Sequence, residues 1–369
     1  MNVYFDTLYD WWKNIDKSIF FLICILFLFG LFFSLASTSI IASDKLNTNS
    51  YHFFLKHFSF VAIGVIIILL FSLLNQKILI NLSILLFLFA FITLFLVPLI
   101  GVEVKGSKRW LDFGFLPRFQ PIEALKPFFV IVISLLLSSD KKNLYFKYFI
   151  STFILLPTII LLLTQPDLGQ TLLLTFVWLT VVFVSGINLI LFSFSVLTVS
   201  SLTFYLIFFV PKFEYIKIRL LSFFDTSSRN NYQADKASDA ISNGGFFGKG
   251  IGEGTLNTRI PEAHTDYIMS VIAEEFGVIV VVGIILLYLI LSYRVIKKIN
   301  FIDNNNFKLI LIGCITLILV QMFIHVGVNI RMLPTTGMTM PFLSYGGSSI
   351  IGTSILTGII LNLTKRKLS

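Results

Sequence analysis

The residues with the clearest chemical potential lie where a long polar loop runs into an apolar segment, RIPEAHTDYIMSVIAEEFG. Asp266 lies at the junction, His264 shortly before it, and Glu274 and Glu275 about two turns further on. On a helix Glu274 lies about 80° round from Asp266 and could share a groove with it, whereas Glu275 faces another helix. A carboxylate in such a groove can act as a general base, but a carboxylate in the first turn also caps a helix. The residues alone leave both interpretations of Asp266 open.

A second group of charges lies in the stretch GVEVKGSKRWLDFGFLPRFQPIEALKPF. Its first part carries four cations, Lys105, Lys108, Arg109 and Arg118. Guanidinium groups bind phosphate through paired hydrogen bonds, and ammonium groups bind it as point charges. The pattern therefore predicts a phosphate-binding cluster.

The same stretch then enters an apolar helix. Gln120 precedes a proline, which is favoured at the first position of a helix. Glu123 and Lys126 are three residues apart, so they lie on one helical face and can pair. Either this pair is a structural ion pair, or the two side chains line a polar groove beneath the cations.

Two further stretches combine polar residues with helix breakers. Asp167, in TQPDLGQT, follows a proline in a tight turn and is expected to cap the next helix. The stretch NIRMLPTTGMTMPFLSYGGSS predicts a broken, re-entrant segment, which is stable at membrane depth only when it is buried in protein or lines a cavity. Ser344 and Ser348 can bond its backbone groups. The alternative is a helix contact made by small residues.

The composition is that of a membrane protein. Of the 369 residues, 56% are hydrophobic and 13% are charged, whereas soluble domains contain about 25% charged residues. Cys24 and Cys314 lie in apolar runs, so neither a disulfide framework nor a metal cluster is implied. The net charge of +9 favours anionic lipids or a lipid-linked phosphate as partners rather than nucleic acid.

An apolar run of about 20 residues crosses a bilayer as a helix. This template predicts an all-α polytopic protein, a single membrane domain over residues 1–369 with about ten transmembrane helices. The predicted spans are 17–37, 53–74, 78–100, 122–138, 145–163, 168–186, 188–210, 266–292, 308–330 and 342–363.

The distribution of Lys and Arg in the short loops predicts that both termini are cytoplasmic. The loop 101–121 then lies outside although it is rich in cations, which indicates a functional need for them there. The loop 211–265 lies on the same outer face and is much longer than an ordinary connection. Its glycine-rich run, ISNGGFFGKGIGEG, is either flexible or lets two phenylalanines enter the membrane interface.

In their order, these motifs resemble the SEDS family of bacterial shape, elongation, division and sporulation proteins. The resemblance is carried by KGSKRWLDFG…QPIEALK, QPDLGQT, GGFFGKGIGEG…PEAHTDYI…EEFG and LPTTGMTMPFLSYGGSS. PEAHTD and the last motif are more similar to the cell-division, FtsW-like branch than to the RodA-like branch. Lys108 stands where the family has Arg, and Arg331 where it usually has Gly.

The resemblance implies a peptidoglycan glycosyltransferase that polymerises lipid II at the outer face of the bacterial inner membrane, at the division septum. Asp266 matches the family's essential aspartate, and Lys108 and Arg109 would stabilise the leaving undecaprenyl pyrophosphate. Further substrate contacts are expected from a set of polar residues: Gln120, Glu123, Lys126, His264, Glu274, Ser344 and Ser348. A class B penicillin-binding transpeptidase and other division proteins are the implied partners. A divalent cation, Mg or Mn, could assist, although no cluster of ligands demands one.

Two other classes of function stay open. In a lipid II flippase, the charges Glu123, Lys126 and Glu274 would line a path across the membrane. In a scaffold that activates the transpeptidase, Asp266 would be dispensable.

Overall fold

The computed structural model describes residues 2–38, 51–104, 106–114, 117–139, 143–224, 232–256 and 260–365. Lys105, one of the four clustered cations, lies outside these ranges, as do parts of the loop 211–265. Within the described ranges the chain is helical apart from turns, irregular segments and one small hairpin. The prediction of an all-α polytopic membrane protein is confirmed.

The described residues form fourteen α-helices and two β-strands, besides the π-helical segment Ser34–Thr38 and the 3-10 turn Pro211–Phe213. The hairpin pairs β1 (Val102–Val104) with β2 (Ser107–Trp110) in antiparallel register. The helices are α1 (Asn2–Asn14), α2 (Lys17–Phe33), α3 (His52–Leu73), α4 (Gln76–Ile100), α5 (Pro121–Ser138), α6 (Leu144–Thr164), α7 (Leu168–Val184), α8 (Leu189–Phe209), α9 (Glu214–Phe224), α10 (Tyr232–Gly244), α11 (Ile268–Phe276), α12 (Val278–Ile299), α13 (Asn305–Asn329) and α14 (Gly347–Leu363).

The apolar runs form helices close to the predicted spans. Among the described residues, eight helices are long and apolar enough to cross a membrane, and α7 and α14 are shorter apolar helices. The count of ten spans therefore stays a prediction. The helix α1 was not predicted, and it packs through Trp11, whose Nε1 donates to Ser72 Oγ at 2.9 Å.

The predicted span 266–292 is wrong as one continuous helix. It consists of α11 and α12, which meet at Gly277, and α12 continues to Ile299. Gly277 has φ 86°, and a β-carbon there would collide with the carbonyl oxygen of Phe246. The break therefore needs glycine for its backbone conformation and for the close approach of another segment.

The core lies between α5, α13 and α14. The helix α14 packs against α3 and α5, and α13 packs against α5 and α7. In the apolar stretches of α5 and α13, 72% and 67% of the residues are buried, whereas only 11% of the residues are buried in that of α8. The side chains of α8 therefore face lipid over most of its length, while the central helices hold the ends of the functional segments.

The two ends of the bundle differ. At one end α1 closes the bundle, Asp16 pairs with Lys298 at 2.8 Å, and Asn362 bonds three carbonyl groups at the end of α3. The other end carries the hairpin, the turn 165–167, the helices α9 and α10, and residues 331–346. We call this the site end, because the described parts of the predicted outer loops after residue 100 lie there.

The loop 211–265 contains the helices α9 and α10, followed by the glycine-rich run. That run packs on the junction of α11 and α12. Lys249 N and Gly250 N donate to the carbonyl groups of Glu274 and Glu275, and Val278 N donates to Gly245 O. We call this contact the glycine seam. Of the two interpretations of this run, the flexible loop therefore does not fit, and Phe246 and Phe247 are exposed.

Residues 331–346 are non-helical yet largely buried, as the predicted re-entrant segment requires. The helix α14 begins at Gly347 rather than at the predicted residue 342. Tyr288 OH donates to the carbonyl of Pro341, and Gln321 Nε2 donates to Thr339 O at 3.0 Å. The protein interior therefore provides partners for backbone groups that a helix would otherwise satisfy.

Candidate active site at the site end

Asp266 lies in the turn that leads into α11 and is half-buried. Its backbone carbonyl accepts from Asn329 Nδ2 at 3.2 Å, and Asn329 Oδ1 accepts from the backbone and hydroxyl of Ser270. Tyr267, not Asp266, is the residue at the N-cap position of α11. Asn329 thus fixes the backbone of Asp266 from a neighbouring helix, and the carboxylate is not the cap of this helix.

Arg109 projects from β2 onto the turn between α6 and α7. Its Nε donates to Gln165 O at 3.0 Å, another nitrogen donates to Pro166 O, and Nη1 lies 3.7 Å from Asp167 Oδ2. Asp167 caps α7 as predicted, since its Oδ1 accepts from Gln170 N at 3.3 Å. Burial raises the pKa of the Asp167 carboxyl, and the charge of Arg109 opposes that change.

Asp266 and Arg109 both lie close to Gly337 of the re-entrant segment. A β-carbon on Gly337 would lie 3.3 Å from Asp266 Oδ2 and 3.8 Å from Arg109 Nη1. Gly337 also has φ 66°, which disfavours other residues. Three segments that are far apart in sequence therefore bring a carboxylate and a guanidinium close to one small residue.

The four predicted cations do not form one cluster among the described residues. Lys108 is exposed, and because neighbouring side chains on a strand point to opposite faces, it points away from Arg109. Arg118 pairs with Asp112 at 3.2 Å. Of Lys108, Arg109 and Arg118, which the structure describes, only Arg109 lies close to Asp266.

Glu123 and Lys126 form a buried ion pair rather than the wall of an open groove. Their charged atoms are 2.8 Å apart, and Gln170 and Gln321 bond the pair from α7 and α13 at 2.7 and 3.0 Å. The cavity beside the pair is about 10 Å³, which is space for about one water molecule. The structural interpretation therefore fits, and the cavity at this pair is too small for a lipid headgroup.

Glu274 is fully buried, and its carboxylate bonds groups of the preceding loop. Its Oε1 accepts from Asn243 Nδ2 and from the backbone of Thr255 and Leu256 at 2.9 to 3.1 Å. The predicted groove shared by Glu274 and Asp266 is wrong because these loop groups surround the carboxylate. Its role here is to attach the loop to α11.

The remaining predicted residues hold the re-entrant segment. Ser344 Oγ donates to Thr265 O at 2.6 Å and accepts from Met340 N, while Ser348 Oγ accepts from Gln120 N at 3.0 Å. The Gln120 side chain reaches Asp167 Oδ2 at 3.5 Å.

The ring of His264 lies against Phe53 and Tyr345, with centroids 5.2 and 5.7 Å apart. The backbone of His264 also accepts from Tyr345 N at 3.1 Å. The aromatic contacts therefore tie the turn before Asp266 to α3 and to the re-entrant segment.

Arg219 of α9 is a candidate residue that the sequence did not reveal. Its Nη1 donates to Thr335 O at 3.2 Å, and its Nη2 donates to Tyr215 OH. Beside it lies a cavity of about 450 Å³, also lined by Tyr232, Gln233 and Pro261. Burial lowers the pKa of Arg219, and the charge of Arg109 acts in the same direction.

Arg331 stands at φ 57°, in the left-handed region that favours glycine. Its Nη1 lies 2.7 Å from Asp235 Oδ1 of α10. The arginine therefore links the re-entrant segment to the loop that contains the cavity. Among the described residues, no group of three or more His, Cys, Asp or Glu could hold a metal ion.

Comparison with known proteins agrees with these motifs. A family model described as "Cell cycle protein", FTSW_RODA_SPOVE, matches residues 16–368. A protein of Coxiella burnetii named "Probable peptidoglycan glycosyltransferase FtsW" is 32% identical and covers 92% of this chain and 94% of its own. A relative of the same name from Caulobacter vibrioides is 29% identical over 97% of this chain and 91% of its own.

Two solved structures share the fold over nearly the whole chain. One, described as "Structural coordination of polymerization and crosslinking by a peptidoglycan synthase complex", has a TM-score of 0.78 and 26% identity, covering 95% of this chain and 97% of the other. The rod shape determining protein RodA of Thermus thermophilus has a TM-score of 0.70 and 25% identity, covering 96% and 97%.

Proposed function

The chain belongs to the FTSW_RODA_SPOVE family of cell cycle proteins, and from this we propose that it is a peptidoglycan glycosyltransferase. It polymerises lipid II into glycan strands during septal cell-wall synthesis. Relatives that match over most of their length bear the name of this activity. The observation that carries the proposal is the meeting of Asp266 and Arg109 over Gly337 at the site end.

In the proposed step, the 4-hydroxyl of one sugar attacks the anomeric carbon of another. A new oxygen–carbon bond forms while the bond from that carbon to the diphosphate oxygen breaks, so the configuration inverts. The Asp266 carboxylate accepts the proton of the attacking hydroxyl. Undecaprenyl diphosphate leaves with the electron pair, and the guanidinium of Arg109 stabilises its growing negative charge.

The arrangement at the site end fits an enzyme that works at one membrane surface. The re-entrant segment lies against Asp266, and α9 and α10 contact that segment through Arg219 and Asp235. The polyprenyl chains would lie along the lipid-facing helices. With both termini cytoplasmic, the site end faces outward, where lipid II is polymerised. A class B penicillin-binding transpeptidase would crosslink the product alongside other division proteins; the similar structure joins polymerisation with crosslinking.

A divalent cation is not needed for the step as written. Mg or Mn would help Arg109 to stabilise the leaving diphosphate; among the described residues no group of three or more His, Cys, Asp or Glu could hold such an ion. The flippase alternative is disfavoured because the cavity beside Glu123 and Lys126 is about 10 Å³, which is too small for a lipid headgroup. A scaffold would not require the carboxylate of Asp266.

The test is to purify the wild type and Asp266→Asn, each alone and with the partner transpeptidase, and to assay glycan chains from lipid II on a gel. We expect Asp266→Asn to lose polymerisation by about 10²- to 10⁴-fold, as removal of a general base does. Its thermal unfolding midpoint should equal that of the wild type. Asp239→Asn is the matched control, because Asp239 is an exposed acid paired only with Lys236.

Chains from both proteins would place the base elsewhere. If the wild type makes no chains even with its partner, the polymerase proposal fails. Movement of lipid II across liposomes should then be measured, since a positive result would favour the flippase.

A further inference from the structure

We infer that Arg219 is a second anion-binding residue of this site and that the cavity beside it holds the diphosphate group of a lipid-linked sugar. The inference rests on the proposed function for the identity of the lipid, but its binding test does not require turnover. It concerns a residue in the loop between α8 and α11, outside the motifs that carry the family resemblance.

The two guanidinium groups approach the same three residues of the re-entrant segment. Arg219 Nη1 lies 3.2 Å from Thr335 O. Arg109 Nη1 would lie 3.8 Å from a β-carbon on Gly337, which itself would touch the carboxylate of Asp266. A ligand that reaches from the cavity beside Thr335 to Asp266 therefore passes both guanidinium groups.

Arg109 is already largely engaged by the protein. It bonds the carbonyl groups of Gln165 and Pro166 and lies 3.7 Å from the carboxylate of Asp167. Its positive charge is therefore partly compensated before any ligand arrives. A leaving diphosphate carries more negative charge than this residue alone can balance.

Arg219 differs from Arg109 in its hydrogen bonds and in the charges near it. Its two described hydrogen bonds go to a carbonyl and to a tyrosine hydroxyl, and no carboxylate of the described residues forms an ion pair with it. A guanidinium has five N–H groups in a rigid fork that matches the oxygens of a phosphate. Arg219 thus keeps charge and donors for a ligand.

The cavity has the size and lining for such a group. Its volume of about 450 Å³ is within the range of small-molecule sites, which is about 300–1,000 Å³. Tyr215, Tyr232 and Gln233 add hydroxyl and amide groups to the wall. These side chains suit a polar headgroup that carries a sugar. Arg219 is the cation among the described residues that line the cavity.

The experiment measures binding of farnesyl diphosphate, a short polyprenyl diphosphate, to the purified full-length protein in nanodiscs by calorimetry. We expect Arg219→Gln to weaken binding by about 10- to 100-fold, the loss typical of a charge-assisted bond. Arg219→Lys, which keeps the charge without the fork, should lie between. Lys212→Gln, which removes an exposed cation shortly before α9, should bind like the wild type.

Thermal unfolding identifies any variant that fails to fold, and Arg219→Lys serves as the test if Arg219→Gln does. Wild-type affinity in a folded Arg219→Gln overturns the inference, as does a wild type that does not bind farnesyl diphosphate. Equal affinity for inorganic pyrophosphate would overturn the assignment to a lipid-linked ligand. Arg219-dependent binding by a protein that makes no glycan would support this inference while the polymerase proposal fails.

Discussion

Two charged regions of this molecule look alike in sequence and differ in structure. In the buried pair, Glu123 and Lys126 are joined to each other and to glutamines of two further helices, around a cavity of about 10 Å³. At the site end, Arg219 borders a cavity of about 450 Å³ and has no described carboxylate partner, and Asp266 lies close to Gly337, two residues after Thr335 of the cavity wall. A charged residue in a membrane protein is therefore a candidate for binding or catalysis only where it borders a cavity and the protein does not use all of its hydrogen-bonding groups.

Breaking the buried pair should give the largest effect on stability. Lys126→Met leaves the Glu123 carboxylate without its cation, and removal of one partner from a buried pair costs about 3–5 kcal/mol. The double variant Glu123→Gln, Lys126→Met removes both charges and should recover at least half of that loss. Denaturant unfolding in detergent measures both. A single variant as stable as the wild type would contradict the contrast between the two regions.

A smaller loss is expected from Glu274→Ala, which tests an acid that sequence alone would place with Asp266. The donors on Asn243, Thr255 and Leu256 would lose their charged acceptor, and hydrogen bonds to a charged group contribute about 1–3 kcal/mol. Hydrogen exchange should show faster exchange of the Thr255 and Leu256 amides. Glu253→Gln, an exposed acid in the same loop, is the control. Unchanged exchange in Glu274→Ala would mean that Glu274 does not hold the loop, and a groove shared with Asp266 would then be the better interpretation.

The smallest effect on stability is expected from Gly337→Ala, which crowds the site end without removing a charge. The positive φ should cost about 1–2 kcal/mol. Gly186→Ala is the matched control, because Gly186 has φ 85° and no atom within 4 Å of its added β-carbon. Both variants should be destabilised alike, but only Gly337→Ala should lose polymerisation. Equal activity would mean that Asp266 does not need the space over Gly337.

The sequence was most informative where one segment determines its own structure. Apolar runs predicted most helices to within a few residues, and the breakers in residues 331–346 predicted the re-entrant segment. Hydropathy could not predict the break at Gly277, because the chain is apolar on both sides and the break depends on the approach of Phe246. The β-strand at 107–110 was not predicted. It places the side chains of Lys108 and Arg109 on opposite faces, so the two cations do not act together.

The site itself depends on contacts between distant segments. Arg219 lies in a loop without a clear pattern, and its partner Thr335 is 116 residues away in sequence. Glu274 bonds groups 18 to 31 residues earlier, so its helical angle to Asp266 said little about its surroundings. Asn329 belongs to an apolar helix, and only its bond to Asp266 O reveals that it positions the turn.

The glycine seam also decides where this protein can be modified for experiments. Its composition is that of a flexible linker, the kind of segment in which epitope tags and protease sites are usually inserted. A β-carbon at Gly248 would collide with the backbone of Glu275, and one at Gly277 with that of Phe246. Inserted residues there would force the loop off α11, whereas the turn at Gly186, between α7 and α8, has open space around it. A tagged protein that keeps its loop in place should therefore carry the tag at that turn.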